Sequence, residues 1–310
     1  MDRMSSLRLV FAGSPAAAVP SLRALHASRH EVAAVLTRTD SPQGRKRVLT
    51  PTVVASAAEE LGLPVIKHDR LGAEATDELS ALRPDLGVIV AYGGLVREPL
   101  LSAPRLGWIN LHFSILPRWR GEAPVQNALL VGDQEVGTAV FQLVPQLDAG
   151  DVFAQSRRPA GDSSTSGSLL AELADEGAAQ LVDVVDALAD GTAVAHPQTG
   201  EPVPAPKLPA TAGRLDPSES SESVFARFRA VTPEPGALVM LGDDRLKVHA
   251  VEPDTRVVPA GQLISDAGDV LLGTATSALR LVTVQPAGRT PMPAADWWRG
   301  RPADATAVAS

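Results

Sequence analysis

The sequence predicts an α/β protein in two parts: a Rossmann-like N-terminal domain around a mostly parallel sheet, and a smaller β-rich C-terminal domain with an OB-like pattern. Three observations lead to this prediction. Apolar segments of strand length alternate with helical segments through the first part. These segments are continuously apolar, which is typical of strands buried on both faces of a parallel sheet. Beyond a proline-rich stretch, short strand-like segments follow one another with Gly, Asp and Pro between them.

The N-terminal elements are predicted from apolar periodicity and from the residues that end each run. The expected strands are 7–12, 31–36, 63–66, 86–91 and 138–144. The expected helices are 16–27, 53–61, 73–82, 123–131 and 168–189. Strands that alternate with helices imply right-handed crossovers and a mostly parallel sheet with helices on both faces.

The second part begins where the composition of the sequence changes. Five prolines lie between positions 197 and 209, and such a stretch reads as a semi-stiff connector. It is followed by a helix at 221–230 and strands at 237–241, 246–251, 262–265, 270–273 and 279–284. The predicted domains are therefore 1–195 and 216–310, joined by a linker at 196–215.

Composition limits the classes of protein that the chain can represent. The 310 residues are 45% hydrophobic and 21% charged, as in globular proteins, and they contain no cysteine. Disulfides, thiolate metal sites and thiol nucleophiles are thus excluded. The net charge of −8 means that a nucleic-acid partner would need a local basic patch. Neither a signal peptide nor a membrane-length apolar run is recognised, so a cytoplasmic protein is expected.

The end of the first strand reads F-A-G-S-P at positions 11–15. A dinucleotide-binding turn would have G-x-G-x-x-G there, with backbone amides facing a pyrophosphate. Only one glycine is present, and Pro15 has no N–H to donate. A plain strand-to-helix turn with Pro15 near the helix start is therefore favoured, and a nicotinamide oxidoreductase is disfavoured.

The segment Trp108–His112 carries the clearest chemical signal. It alternates like a strand, so the side chains of Asn110 and His112 point to the same face. An amide can donate a hydrogen bond to a developing oxyanion, and an imidazole can exchange protons near neutral pH. A structural Asn-x-His pair is an equally good interpretation from these residues alone.

Three further segments have open interpretations. Ser114–Pro117 is a tight apolar turn, and Arg118–Gly121 is basic and aromatic, which suits a solvated loop or the wall of a pocket. Leu147–Asp151 places a carboxylate beside a glycine, as turns often do. If Asp148 lay near His112, it would orient the imidazole and favour its protonated form, but spacing in the sequence cannot decide this.

Taken together, these motifs resemble the methionyl-tRNA formyltransferases over essentially the whole chain. The motifs that carry the resemblance are F-A-G-S-P at 11–15, V-A-Y-G at 90–93, N-L-H-F-S-I-L-P-R-W-R-G at 110–121, A-P-V-Q at 123–126, L-D-A-G-D at 147–151 and Q-P-A-G at 285–288, followed by Met292. The 110–121 segment and L-D-A-G-D are shared with other folate-dependent formyltransferases. The Q-P-A-G segment and the region 41–51 favour the tRNA enzymes.

The resemblance implies a reaction and a set of residues. The donor would be 10-formyltetrahydrofolate, and the acceptor would be the α-amino group of methionyl initiator tRNA. No metal is expected, because the histidines other than His112 are scattered along the sequence, at positions 26, 30, 68, 196 and 249. Asn110, His112 and Asp148 would be catalytic. The turn Ser114, Ile115, Leu116 and Pro117 would contact the folate, and the loop residues Arg45, Lys46 and Arg47 would bind tRNA. The chain is expected to act as a monomer.

The basic loop departs from the family pattern, because Lys46 stands where a glycine is usual and Val48 where a lysine is usual. Glu122 replaces a small residue beside the catalytic segment, and Pro217 replaces a tryptophan. Without the resemblance, the Arg45–Arg47 cluster reads as a solvated surface run. The alternative function is a folate-dependent formyltransferase that acts on a sugar-nucleotide amine, which would not need this loop. A nucleotide- or tRNA-binding module with an inactive site is disfavoured, because the three catalytic residues are all present.

Overall fold

The structure of the protein is a computed structural model that describes residues 6–44, 46–301 and 307–309. The chain forms two compact units. The first draws its described residues from Met1–Glu122, Val136–Arg158 and Leu170–Ala205. The second draws them from Ala123–Glu135, Pro159–Leu169 and Pro206–Ser310.

The strands up to residue 205 follow the predicted alternation, with several short strands added. They are β1 (Arg8–Gly13), β2 (Glu31–Thr37), β3 (Ser41–Gln43), β4 (Val48–Thr50), β5 (Val65–Lys67), β6 (Leu86–Val90), β7 (Trp108–His112), β8 (Arg118–Gly121), β9 (Glu135–Val136), β10 (Ala139–Gln142), β11 (Val152–Gln155), β12 (Arg158–Pro159) and β13 (Val203–Ala205). The helices that begin before residue 205 are α1 (Val19–Ala27), α2 (Val53–Glu60), α3 (Ala73–Ala81), α4 (Pro124–Leu130) and α5 (Ser166–Ala189), with 3₁₀ turns at Ala16–Ala18 and Leu100–Ser102.

The central sheet of the first unit has the strand order β11-β10-β7-β6-β1-β2-β5. The strands from β7 to β5 are parallel, and β10 and β11 are antiparallel additions at one edge. The prediction of a mostly parallel sheet is therefore confirmed. Continuous apolar sequence matches continuous burial, since every residue of β6 is buried.

Strand β7 lies inside this sheet, between β6 and β10. Asn110 pairs with Ile89 on one side and with Phe141 on the other. Leu111 points to the opposite face, where helix α5 approaches so closely that a Cβ on Gly177 would lie 2.9 Å from the Leu111 side chain. Because side chains alternate along a strand, Asn110 and His112 are on the face away from this helix.

The second unit is the β-rich part that the sequence predicts. Its elements are α6 (Ser221–Val231), β14 (Ala237–Leu241), β15 (Asp244–Pro253), β16 (Gln262–Asp266), β17 (Asp269–Gly273), β18 (Ala278–Pro286), β19 (Met292–Pro293), α7 (Ala294–Arg299) and β20 (Ala307–Val308), with a 3₁₀ turn at Ala210–Gly213. Strands β14, β15, β18, β17, β16 and β20 form one antiparallel sheet in that order. Val239, Val248 and Leu272 belong to its fully or almost fully buried core.

The predicted linker has a structure of its own in its first part. Residues 196–205 belong to the first unit, and β13 pairs with β8 in a parallel two-stranded ribbon. The prolines keep this segment out of the central sheet, as expected, but they do not prevent a short edge pairing. The domain bounds 1–195, 196–215 and 216–310 stay a prediction.

Candidate active site

His112 ends strand β7 and is held by a backbone group of strand β8. The ring nitrogen Nε2 lies 2.8 Å from the carbonyl oxygen of Trp119. A carbonyl only accepts, so Nε2 carries a hydrogen and donates it. The Phe141 ring packs edge-on against the imidazole, with ring centroids 6.3 Å apart. His112 is thus buried and fixed in orientation, and Nδ1 is the nitrogen left for chemistry.

The backbone of strand β8 is bent to make this contact. Trp119 has φ of 66°, in the left-handed region that bulky residues rarely adopt. Such a conformation costs about 1–3 kcal/mol and persists only where surrounding structure enforces it. Here it accompanies the hydrogen bond between the Trp119 carbonyl and His112.

Asp148 comes to the same place from a distant part of the chain. Its Oδ2 lies 3.9 Å from Nδ1 of His112, and both side chains are almost buried, 11% and 7% exposed. The same Oδ2 accepts a hydrogen bond of 2.8 Å from the backbone N–H of Gly121. The carboxylate therefore faces the imidazole and is positioned by strand β8, although 3.9 Å is too long for a hydrogen bond to the ring.

Asn110 is the half-buried neighbour of His112 on the same face of β7. Within the described part of the chain, its side-chain amide makes no hydrogen bond to another group. Its N–H donors are therefore available to a ligand. The structure thus brings Asn110, His112 and Asp148 to one side of the sheet, next to β8.

The role of strand β8 is what sequence reasoning missed. Trp119 holds His112 with its carbonyl, and Gly121 holds Asp148 with its amide. Gly121 itself has φ of 133°, and a Cβ there would lie 2.6 Å from the carbonyl oxygen of Ala205. The R-W-R-G sequence indicated only a basic and aromatic segment, because backbone donors and acceptors leave no mark in residue type.

The turn predicted to contact folate is partly turned inwards. Ser114 and Leu116 are buried, and the Ser114 hydroxyl donates to the carbonyl of Arg118 at 2.8 Å. Leu116 packs with Ala139 and Phe141. The partly exposed members are Ile115 and Pro117. A ligand on this turn would therefore meet the two partly exposed residues, Ile115 and Pro117.

The V-A-Y-G segment at the end of β6 serves the fold. Tyr92 is buried, and its hydroxyl donates to the carbonyl of His68 at 2.5 Å. Burial raises the pKa of Tyr92 to about 12. Ala91 and Gly93 have positive φ, and the carbonyl of Gly93 accepts from Arg38 at 2.7 Å. This motif therefore shapes the chain where it leaves the sheet.

The basic loop lies at the tip of the hairpin made by β3 and β4. Lys46 and Arg47 are exposed there, whereas Arg45 lies outside the described residues. Throughout the described ranges, no group of three or more His, Asp or Glu side chains is arranged to hold a metal ion. In the same ranges, no helix is both long and apolar enough to cross a lipid bilayer.

Comparison with known proteins identifies the family. The formyl transferase model matches residues 7–185, and the model of the formyl transferase C-terminal domain matches residues 207–302. The methionyl-tRNA formyltransferase of Leifsonia xyli subsp. xyli is 62% identical over 295 residues, which cover 95% of this chain and 97% of that protein. The chain belongs to the methionyl-tRNA formyltransferase family. The resemblance read from the motifs is thereby confirmed.

Other members of the methionyl-tRNA formyltransferase family match at similar length. That of Clavibacter sepedonicus is 55% identical over 296 residues, with 95% of this chain and 97% of that protein covered. The fold is similar to that of the solved methionyl-tRNA formyltransferase from Clostridium thermocellum, with a TM-score of 0.55, 12% identity, and 80% of this chain and 94% of that chain covered.

The fold is shared more widely than the tRNA-formylating family. HypX from Aquifex aeolicus in complex with tetrahydrofolic acid matches with a TM-score of 0.64 and 16% identity. The match covers 94% of this chain but only 47% of the HypX chain. The sugar 3N-formyl transferase WlaRD matches with a TM-score of 0.65 and 11% identity, covering 92% of this chain and 99% of that chain. At these identities the likeness concerns the fold alone.

Proposed function

We propose that the protein transfers a formyl group from 10-formyltetrahydrofolate to the α-amino group of methionyl initiator tRNA. The single observation that carries the chemistry is the convergence of Asn110, His112 and Asp148, with 3.9 Å between Oδ2 of Asp148 and Nδ1 of His112. The choice of acceptor is supported by 62% identity over almost the full length to a protein named for that reaction.

Formyl transfer needs stabilisation of negative charge on one oxygen. When the amine nitrogen attacks the formyl carbon, the formyl oxygen gains charge. The Asn110 amide has donors that no described group occupies, and it would donate one of them to this oxygen. Because the amide is positioned by the sheet before reaction begins, the donor needs no reorganisation in the transition state.

The transfer also moves one proton. The new bond joins the α-amino nitrogen to the formyl carbon, the bond from that carbon to the folate nitrogen breaks, and one proton passes from the first nitrogen to the second. Nδ1 of His112 would carry this proton, since Nε2 is held by the Trp119 carbonyl. The Asp148 carboxylate would stabilise the imidazolium formed in between.

The acceptor would bind partly through the hairpin of β3 and β4. Lys46 and Arg47 are exposed at its tip, and with Arg45 they would contact phosphates of the acceptor arm. The turn Ser114–Pro117 would meet the donor through Ile115, Pro117 and backbone groups. The structure of HypX with tetrahydrofolic acid supports a folate donor on this fold.

The test is transfer of labelled formyl from 10-formyltetrahydrofolate to charged initiator tRNA by the purified protein. Elongator methionyl-tRNA and an amino-sugar nucleotide serve as competing acceptors. Transfer to the initiator tRNA well above both alternatives is expected. Transfer to the amino sugar alone would assign the protein to the alternative function, and no transfer to any acceptor would refute formyl transfer.

A further inference from the structure

Residues 196–205, which the sequence marks as a linker, are attached to the structure that holds the proposed catalytic groups. His196 and Val152 exchange backbone hydrogen bonds of 2.8 and 2.9 Å. Further along, β13 pairs with β8. The segment is thus attached at two points. One is β11, the strand that follows Asp148, and the other is β8, whose backbone contacts His112 and Asp148.

Gln198 lies between these two points and uses both ends of its amide. Its Nε2 donates to the backbone carbonyls of Asp148 and Gly150, at 2.9 and 2.8 Å. Its Oε1 accepts from Nε and Nη2 of Arg120, at 3.1 and 2.7 Å. One side chain thus joins the turn that carries Asp148 to strand β8.

This turn has a conformation that needs support. Asp148 has φ of 46°, in the left-handed region, so its backbone is held there by its surroundings. The Gly121 amide restrains the carboxylate, whereas Gln198 restrains the carbonyls of the turn. The two restraints act on different atoms of the same residue and both lead to β8.

We infer that Gln198, held by Arg120, is a positioning residue that sets the approach of the Asp148 carboxylate to His112. The inference rests on the proposed function. Gln198 makes its four hydrogen bonds to protein groups, so it acts through Asp148. Without it, the turn would be fixed by fewer contacts and the 3.9 Å separation would no longer be maintained.

The prediction concerns kcat more than binding. A shift of about 1 Å in a catalytic group can cost about 10²-fold in rate, so Gln198→Ala is expected to lower kcat about 10- to 100-fold. KM for the donor and for methionyl-tRNA should change little, because all four hydrogen bonds of the Gln198 side chain go to Arg120, Asp148 and Gly150. Gln198→Glu keeps the length and the partner Arg120 but loses both donors to the turn, so it should show the same loss.

The experiment is a double-mutant cycle in the formyl-transfer assay with full-length protein. Wild type, Gln198→Ala, Asp148→Asn and the double variant are compared at saturating substrates, with chemical unfolding to verify the fold. If Gln198 acts through Asp148, its replacement should change kcat by less than about threefold once the Asp148 charge is gone. Thr199→Ala is the matched control, since this exposed neighbour makes no hydrogen bond within the described residues and its loss should leave kcat unchanged.

An unchanged kcat in Gln198→Ala would overturn the inference, and so would an equal loss in both backgrounds. If Gln198→Ala does not fold, the same cycle with Gln198→Glu decides. An inactive wild-type protein would instead refute the proposed function, so the two failures are distinguishable.

Discussion

Substitutions of Asp148 can separate the contribution of its charge to catalysis from its contribution to the stability of the fold. The carboxylate faces Nδ1 of His112 and also accepts from the Gly121 amide, and the backbone is left-handed. Asn keeps a side-chain oxygen for Gly121 and tolerates the left-handed region, but it removes the charge. Ala loses the acceptor, the charge and the local tolerance for this φ.

The magnitudes follow from these contacts. In Asp148→Ala, the lost hydrogen bond to a charged acceptor contributes about 1.5 kcal/mol, because Gly121 is only half-buried, and the left-handed backbone about 1 kcal/mol. The free energy of unfolding should therefore fall by about 2–3 kcal/mol in Asp148→Ala and by less than about 1 kcal/mol in Asp148→Asn. In both variants, kcat/KM should fall about 10²- to 10⁴-fold, as for loss of a group that assists proton transfer.

The assay combines urea unfolding with initial rates of labelled formyl transfer to initiator methionyl-tRNA. Asp148→Glu is a useful control, because it restores the charge at a different distance and should recover only part of the rate. An Asp148→Asn protein that transfers formyl within about threefold of wild type would refute the participation of the carboxylate.

Three other predictions concern Asn110, His30 and the basic loop. Asn110→Ala should lower kcat about 10²- to 10³-fold with the fold intact, as for one lost oxyanion donor; a normal rate would remove Asn110 from the mechanism. Burial lowers the pKa of His30, whose Nδ1 accepts from the Leu7 amide at 3.1 Å. As the pH falls, His30 therefore becomes protonated in the unfolded chain before it does so in the folded chain. The contribution of neutral His30 to the free energy of unfolding is complete above about pH 6.5 and should decrease as the pH falls below that value. Urea midpoints of wild type and His30→Gln between pH 8 and 5 measure this, and parallel curves would contradict it. Lys46→Ala and Arg45→Ala should each weaken tRNA binding and reduce the log–log salt dependence by about one phosphate contact, which filter binding at several salt concentrations would detect or exclude.

The secondary structure of the first unit was largely predictable, and its failures have local causes. The apolar runs at 31–36 and 86–91 correspond to β2 and β6 within one residue. The hairpin of β3 and β4 was missed because all six of its residues are exposed and carry no apolar pattern. Strand β8 was missed because its pairing partner is distant in the sequence. Gly121 pairs with Ala205, 84 positions further along the chain, and nothing local marks such a pairing.

The sequence by itself determined the order of strands and helices, the family, and the residue types that carry the proposed chemistry, Asn110, His112 and Asp148. These are properties of side chains and of local periodicity. Only the tertiary structure decided that Trp119, Gly121 and Gln198 hold the histidine and the acid in place. Two of these three act through backbone groups, the Trp119 carbonyl and the Gly121 N–H, which residue type does not reveal. All three depend on chain segments that meet only when the chain is folded.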